Sequence, residues 1–102
     1  MSPAPAILKA FLDQEGRLTG LPSRRRKQLA AFLYLAGQLP EGQIWKEKEI
    51  NVLLDSLCTF HDPATLRREL FDHGLLERER DGSSYRRADH LPLPEEFEQR
   101  WL

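Results

Sequence analysis

Several features that mark familiar classes of protein are missing from this chain of 102 residues. Its single cysteine, Cys58, excludes an intramolecular disulfide and favours a reducing compartment, so we expect a cytoplasmic protein. No apolar run approaches the ~20 residues that a membrane-spanning helix needs. The opening sequence, MSPAPAILKAFLDQ, lacks the basic start and the long apolar centre of a signal peptide. We therefore expect neither a membrane partner nor a secreted protein.

Motifs of catalysis and of metal binding are also missing. The chain has no glycine-rich phosphate loop, no HExxH pair and no convincing Cys/His nucleophile pair, so we expect no enzyme and no cofactor. Cys58 and His61 have a spacing that metals use, and the other histidines are His73 and His90. A structural zinc site usually has four ligands, and a second cysteine is absent. A buried thiol near ordinary surface histidines is favoured over a metal site.

An excess of positive charge is the next absence. The net charge is −1, whereas dedicated nucleic-acid binders usually have a clearly basic balance. The charge is nonetheless segregated: residues 17–27 carry +5, residues 77–88 carry +1 and residues 89–102 carry −3. The net charge argues against an anionic partner, whereas the basic segments are compatible with one.

Hydrophobic periodicity and turn chemistry predict a series of short elements before residue 60. Ser23 is the predicted N-cap of the helix that follows it. The predicted elements are an N-terminal helix from Ile7 to near Gly16 with a turn at 13–16, helices over 24–39 and 46–57, and an edge strand at 43–45.

The stretch from Asp62 to Arg87 organises the chain. Asp62 is a good N-cap with proline at the first helical position, and Gly74 can supply the left-handed residue that ends the helix. Strands over 75–79 and 84–87 then flank a turn of four residues. A helix followed at once by a basic hairpin is the order of a recognition helix (62–73) and its wing (75–87).

The predicted fold is mainly α with a small β-hairpin, in the α+β class. We predict a winged helix-turn-helix core over 23–88, an N-terminal helix and lead-in over 1–22, and a Pro-rich linker with a C-terminal helix over 89–102. The short last helix cannot bury Phe97, Trp101 and Leu102 alone. The sequence leaves open whether these three side chains pack on their own domain or on a neighbouring molecule. A homodimer through the terminal helices is favoured.

Several stretches resemble a bacterial family designated only as a domain of unknown function (number two-zero-eight-seven). They are LPSRRRKQLAAFLYLAGQL, WKEKEINVLL and HDPATLRRELFDHGLLERERDGSSYRR, and FLDQEGRLTGLPS resembles the family's lead-in. The resemblance spans roughly residues 7 to 88. It implies a winged-helix domain with a transcription-associated role, and it supplies no ligand or chemistry. The acidic extension from Leu91 departs from the family pattern. It has two expected roles, as an oligomerisation arm or as a mask over the basic hairpin.

Three groups of residues are candidates for contact with double-stranded DNA. They lie at the start of the first core helix, on the recognition helix and on the wing, where arginine can pair with guanine or phosphate. The free N–H groups of a helix start also favour an anion. The candidates are Arg24, Arg25, Arg26, Lys27, Thr65, Arg67, Arg68, Arg78, Arg80, Arg86 and Arg87.

Each group also has an explanation that does not involve DNA. The recognition-helix arginines can pair with acids of their own helix, and residues 24–27 can form a solvated turn. In the first wing strand, alternation is expected to place Arg78 and Arg80 on one face and Glu77 and Glu79 on the other. Cross-strand pairs between glutamate and arginine are slightly favoured over a basic wing surface.

Two functions remain open, with a weaker third. The leading hypothesis is a DNA-binding transcriptional regulator, or a regulator-associated domain, of winged-helix type. The competing hypothesis is a winged-helix module for protein interaction or dimerisation without DNA binding. The third is the sensing of a small ligand in a cleft between the N-terminal helix and the core.

Overall fold

The computed structural model describes residues 4–102. Its elements, in chain order, are a 3₁₀ helix Ala6–Phe11, α1 Arg25–Gln38, α2 Glu47–Ser56, α3 Pro63–Asp72, β1 Leu76–Arg78, β2 Tyr85–Arg87 and α4 Pro94–Trp101. The predicted fold class, mainly α with a small antiparallel hairpin, is confirmed. The first three residues of the predicted 1–22 segment lie outside the described range. Between residues 4 and 102 no helix is both long and apolar enough to cross a membrane.

α1 is the central helix because its neighbours cover it on several sides. The 3₁₀ helix, α3 and α4 all pack against it. Its buried residues extend beyond a single stripe of the helix and are Leu29, Ala31, Phe32, Tyr34, Leu35 and Ala36. A helix buried on most sides has little amphipathicity, so periodicity alone understates its burial.

The predicted N-cap of α1 is wrong by one residue. Arg24, and not Ser23, occupies the N-cap, with an extended backbone (φ −80°, ψ 134°) and no side-chain cap. The first hydrogen bond of the helix therefore runs from the N–H of Gln28 to the carbonyl of Arg24 at 2.9 Å. Four cations consequently begin α1 without a capping oxygen.

The N-terminal helix is shorter than predicted. It is a 3₁₀ helix that ends at Phe11, and the predicted turn at 13–16 follows it. Leu12 then pairs with Leu18 in an antiparallel bridge, and Leu18 also pairs with Cys58 in a parallel bridge. The N–H of Leu18 donates to the carbonyl of Leu57 at 2.9 Å. The residue after the helix, Leu12, thus pairs with a nearby residue, and Leu18 extends the pairing to Cys58, 40 residues away, a partner that local sequence cannot reveal.

α2 and α3 confirm the predicted helices 46–57 and 62–73 to within one residue at each end. At the start of α2, the Glu49 carboxylate accepts a hydrogen bond from the N–H of Lys46 at 2.7 Å. At the start of α3, the Asp62 carboxylate accepts from the N–H of Thr65 at 3.3 Å, which confirms the predicted cap.

The end of α3 turns the chain directly into the hairpin. Gly74 has φ 72° and lies in the left-handed region. The N–H of Leu75 donates to the carbonyl of Leu70 at 2.9 Å. The N–H of Gly74 donates to the carbonyl of Phe71 at 3.1 Å. These two bonds form a Schellman motif, and the leucines that flank it are both buried. The predicted glycine stop is confirmed. The motif includes Leu75, so the first strand starts one residue later than predicted.

The hairpin has short strands and a third partner. β1 and β2 are antiparallel with the register Leu76↔Arg87, Glu77↔Arg86 and Arg78↔Tyr85. Trp45 and Tyr85 exchange backbone hydrogen bonds of 2.8 and 2.7 Å, so the predicted edge strand at 43–45 is reduced to one antiparallel bridge.

One prediction about the wing is wrong. The N–H of Gly82 donates to the carbonyl of Glu79 at 2.9 Å, which closes the turn immediately after the first strand. Arg80 therefore lies in the turn, and strand alternation does not place it on the face of Arg78.

The C-terminal segment docks on its own domain. α4 begins at Pro94 and packs against α1, with Phe97 only 3% exposed. The ring of Trp101 lies 4.6 Å from the ring of His73, which follows α3. Two of the three apolar side chains that raised the question of a partner, Phe97 and Trp101, therefore pack within the chain, whereas Leu102 is 66% exposed. The homodimer stays a prediction.

Candidate nucleic-acid interface

α3 has one face in the core and one face in solvent. Leu66 and Leu70 are fully buried, whereas Ala64, Arg68 and Asp72 are exposed. Residues four apart lie on the same side of a helix, so the last three form one continuous stripe. Within residues 4–102, Arg68 has no hydrogen-bond or ion-pair partner. Its guanidinium is available to a molecule that approaches this stripe.

The acids of α3 lie mostly away from the start of this stripe. The Asp62 carboxylate caps the helix, and the Glu69 carboxylate lies 3.8 Å from Nδ1 of His73. Asp72 is exposed, one turn beyond Arg68. The exposed stripe of α3 thus begins with the small side chain of Ala64 and then carries one cation, Arg68, and one acid, Asp72.

Arg67 differs from its neighbour because it is held inside the domain. Its guanidinium donates to the side-chain oxygen of Asn51, lies 3.4 Å from the Glu47 carboxylate, and stands 5.7 Å from the ring centre of Tyr85. Only 19% of its side chain is exposed. Arg67 therefore joins α2, α3 and β2, and it pairs with one acid of α2, Glu47, and not with the acids of α3.

Two of the wing arginines are paired within the chain. Arg86 lies opposite Glu77 in the hairpin register, and its guanidinium is 2.8 Å from the Glu77 carboxylate. This pair confirms the predicted cross-strand pairing of glutamate and arginine for Arg86 alone. Arg87 is 9% exposed and donates to the Glu41 carboxylate at 2.6 Å and to the Leu39 carbonyl at 3.3 Å. It fastens β2 to the end of α1.

The other two wing arginines have different surroundings. The guanidinium of Arg78 lies 4.2 Å from the ring centre of Phe71 on α3, a cation–π contact that joins the hairpin to the helix. Arg80 is exposed in the turn and has no partner among residues 4–102. Arg80 is thus the tip of the hairpin and the wing cation best placed for an external anion.

The basic start of α1 is largely engaged with neighbouring elements. Arg26 lies 3.0 Å from the Glu98 carboxylate of α4, and the Lys27 ammonium stands 5.6 Å from the ring centre of Phe11. Arg24 is exposed without a partner in the described range. Arg24 and Arg26 are thus solvated, whereas anion binding by this group stays a prediction.

The remaining cation of this group, Arg25, meets a histidine that sequence reasoning placed wrongly. Its guanidinium lies 2.9 Å from Nε2 of His73, a residue only 6% exposed and therefore not an ordinary surface histidine. The signal was available, because His73 follows Leu66 and Leu70 at helical spacing on the buried stripe of α3. The aromatic rings of α1 and α4 that enclose it could not be deduced from that spacing.

The buried thiol lies apart from this surface. Burial and the nearby Asp55 carboxylate raise the pKa of Cys58 to about 12, so the thiol stays protonated near neutral pH and is a poor nucleophile. His61 is exposed, with Nδ1 lying 3.2 Å from the Asp55 carboxylate. Among residues 4–102, no three His, Cys, Asp or Glu side chains form a group that could hold a metal ion.

These elements define a small α+β domain in which a capped helix and a hairpin present exposed cations. Residues 17–87 match the family described as an uncharacterized protein conserved in bacteria (DUF2087), and the chain belongs to that family. No significant match was found among curated proteins or among solved structures. The matched segment runs from before α1 to β2. The 3₁₀ helix and α4 lie outside it, although they contribute the buried Leu8 and Phe97 to the core.

Proposed function

We propose that this protein is a DNA-binding transcriptional regulator, or a regulator-associated domain, of winged-helix type. It would act in the cytoplasm and without catalysis. The order of α1, α2, α3 and the hairpin supports this proposal, as does the Trp45–Tyr85 bridge that adds a third chain segment to the hairpin. α3 would enter the major groove and the hairpin would lie along the phosphate backbone.

The observation that carries the proposal is the state of Arg68. It is exposed and unpaired in the described range, on a stripe that begins with the small side chain of Ala64. A recognition helix needs small residues for close approach to the bases and a donor that reaches a base edge or a phosphate. Arg67 would hold α3 in place through α2. Arg24 and Arg80 would bind phosphate from either side.

The test is a salt-titrated binding measurement on genomic DNA fragments. Arg68→Ala removes one exposed cation from α3, and Arg100→Ala, the matched control, removes one exposed cation from α4. We expect Arg68→Ala to weaken binding by about tenfold or more, because a good arginine–base pair contributes ~1–3 kcal/mol of discrimination. The slope of log K against log salt should also fall by about one if Arg68 contacts phosphate.

Two results would contradict this proposal. One is equal weakening by the two substitutions, which would mean that α3 has no special role. The other is binding of the wild-type protein weaker than about 10⁻⁴ M at low salt, below the usual non-specific range.

The second candidate is an interaction or dimerisation module that does not bind DNA. The engagement of most candidate cations inside the domain favours it, as does the net charge of −1. For a homodimer through the terminal segments, the exposed Leu93 and Leu102 at the two ends of α4 would form the contact. Leu93→Asp with Leu102→Asp should then dissociate the dimer in sedimentation velocity without unfolding the domain. A monomeric wild-type protein would remove this candidate dimer.

A further inference from the structure

A cavity of about 530 Å³ lies between the N-terminal 3₁₀ helix, α1 and α4. Within the described range, α3 and the hairpin contribute none of its lining residues. The cavity is therefore separate from α3 and the hairpin of the proposed DNA interface, although Arg26, a candidate for DNA contact, lies in its lining. Its volume falls within the ~300–1,000 Å³ typical of sites for small organic molecules.

The walls of this cavity are mostly apolar. The 3₁₀ helix contributes Ile7 and α1 contributes Leu33. The segment before α4 contributes Leu91 and Pro92, and α4 contributes Phe97. Ile7 is 36% exposed and Leu33 is partly buried. An apolar ligand would remove these side chains from water, which is favourable in proportion to the area covered.

One ion pair lies at the solvent-exposed edge of this apolar wall, where the Arg26 side chain is 66% exposed. Arg26 Nε lies 3.0 Å from the Glu98 carboxylate, and both residues line the cavity. Beyond Nε, the guanidinium carries two terminal amino groups with four N–H donors. Those groups match the two oxygens of a carboxylate in a bidentate pair.

The charge around Arg26 favours an anion over a cation. Arg24, Arg25 and Lys27 flank it in sequence, and the first turn of α1 contains no acid. Glu98 is the one acid among the described lining residues, and the acids of the first turn of α4 do not line the cavity. Arg24, Arg25 and Lys27 do not line the cavity, but they place positive charge next to Arg26 at the start of α1, which favours an anion over a cation.

We propose that this cavity binds a small organic carboxylate with an extended apolar body. The carboxylate pairs with the terminal amino groups of Arg26, and the body packs between Leu33 and Phe97. Because α1 and α4 both contribute to the site, the bound molecule bridges the two helices.

The experiment is isothermal titration calorimetry with three probes that share one apolar chain, used below their micelle thresholds. The probes are decanoate, decan-1-ol and decylammonium. We expect decanoate to bind about tenfold or more tightly than the other two, because only the carboxylate can form a bidentate ion pair with Arg26. Arg26→Gln should remove that advantage while decan-1-ol binds as before. Arg100→Gln, which removes an exposed cation outside the cavity lining, should change nothing.

A second substitution locates the site. Ala30 lines the cavity and is only partly buried, so Ala30→Phe should fill the space while the domain stays folded, as circular dichroism would show. Decanoate binding should then be lost.

The proposal is overturned if decanoate does not bind, if the three probes bind equally, or if either Arg26→Gln or Ala30→Phe leaves decanoate affinity unchanged. A wild-type dimer that Ala30→Phe dissociates would also overturn it, because a second copy would then occupy the groove. None of these measurements involves DNA, so their outcome is independent of the proposed regulatory function.

Discussion

Arg25 donates a hydrogen bond to Nε2 of His73 at 2.9 Å, and this contact joins the start of α1 to the end of α3. Since Nε2 accepts, the ring proton lies on Nδ1, which donates to the carbonyl of Glu69 at 2.7 Å. The imidazole ring stands 5.0 Å from the ring of Phe32 and 4.6 Å from that of Trp101. A neutral histidine with both nitrogens bonded thus fills the space between three helices.

Removing the donor to this histidine should destabilise the domain. Arg25→Ala leaves Nε2 without a protein partner inside an aromatic environment, and we expect the free energy of unfolding to fall by about 1 kcal/mol. Urea denaturation checks this value. Arg24→Ala is the control, because Arg24 is exposed and unpaired in the described range, and it should change stability by no more than about 0.5 kcal/mol. Equal effects would show that the contact with His73 contributes nothing.

The C-terminal helix should behave as part of the core. Phe97 is 3% exposed against α1, so Phe97→Ala should lower the free energy of unfolding by about 3 kcal/mol through lost burial and the cavity left behind. Leu102, at 66% exposure, gives the matched control, and Leu102→Ala should have little effect. Thermal or urea unfolding measures both. A small effect at Phe97 would mean that α4 does not dock as described.

The glycine at the end of α3 should be needed for its backbone conformation alone. A Cβ at Gly74 would meet nothing within 4 Å, but its φ is +72°, so Gly74→Ala should cost about 1–2 kcal/mol. A Cβ at Gly20 would likewise meet nothing within 4 Å, and the φ of Gly20 is not in the left-handed region. Gly20→Ala should therefore be neutral or slightly stabilising in the same unfolding measurement. If the two substitutions were equivalent, the Schellman motif would not be the end of α3.

The buried thiol should react slowly in the folded protein. Burial, reinforced by Asp55, raises the pKa of Cys58 from 9.0 to about 12, so little thiolate is present in the native state at about pH 8. Iodoacetamide should label the unfolded chain much faster than the folded one, as mass spectrometry would show. The raised pKa also means that the contribution of Cys58 to stability is complete below pH 9 and is lost as the pH rises towards 12. Rapid native labelling would contradict the burial.

Local chemistry explains why much of the fold could be predicted. A cap at Asp62, a proline after it and a left-handed glycine at position 74 depend on neighbours within a few residues. They therefore marked both ends of α3 correctly. The hairpin was likewise predicted by its turn residues, although the turn closes earlier than strand alternation assumed.

The candidate interface was less predictable because arginines adjacent in sequence have different surroundings. Arg67 contacts α2 and Tyr85, whereas Arg68 is exposed without a partner in the described range. A helix rotates by about 100° per residue, so the two side chains point in different directions, and only the packing of α2 decides which one is covered. The same applies to Arg25, whose partner lies 48 residues away.

The sequence by itself determined the elements that begin, end and turn through short-range hydrogen bonds and backbone preferences. The stretch from Asp62 to Arg87 is of this kind. The tertiary structure alone decided which cations remain exposed to a partner molecule. It also decided that α4 docks on α1 and that a cavity lies beside Arg26. These outcomes depend on contacts between residues far apart in the chain, and such contacts leave no periodic pattern in the sequence.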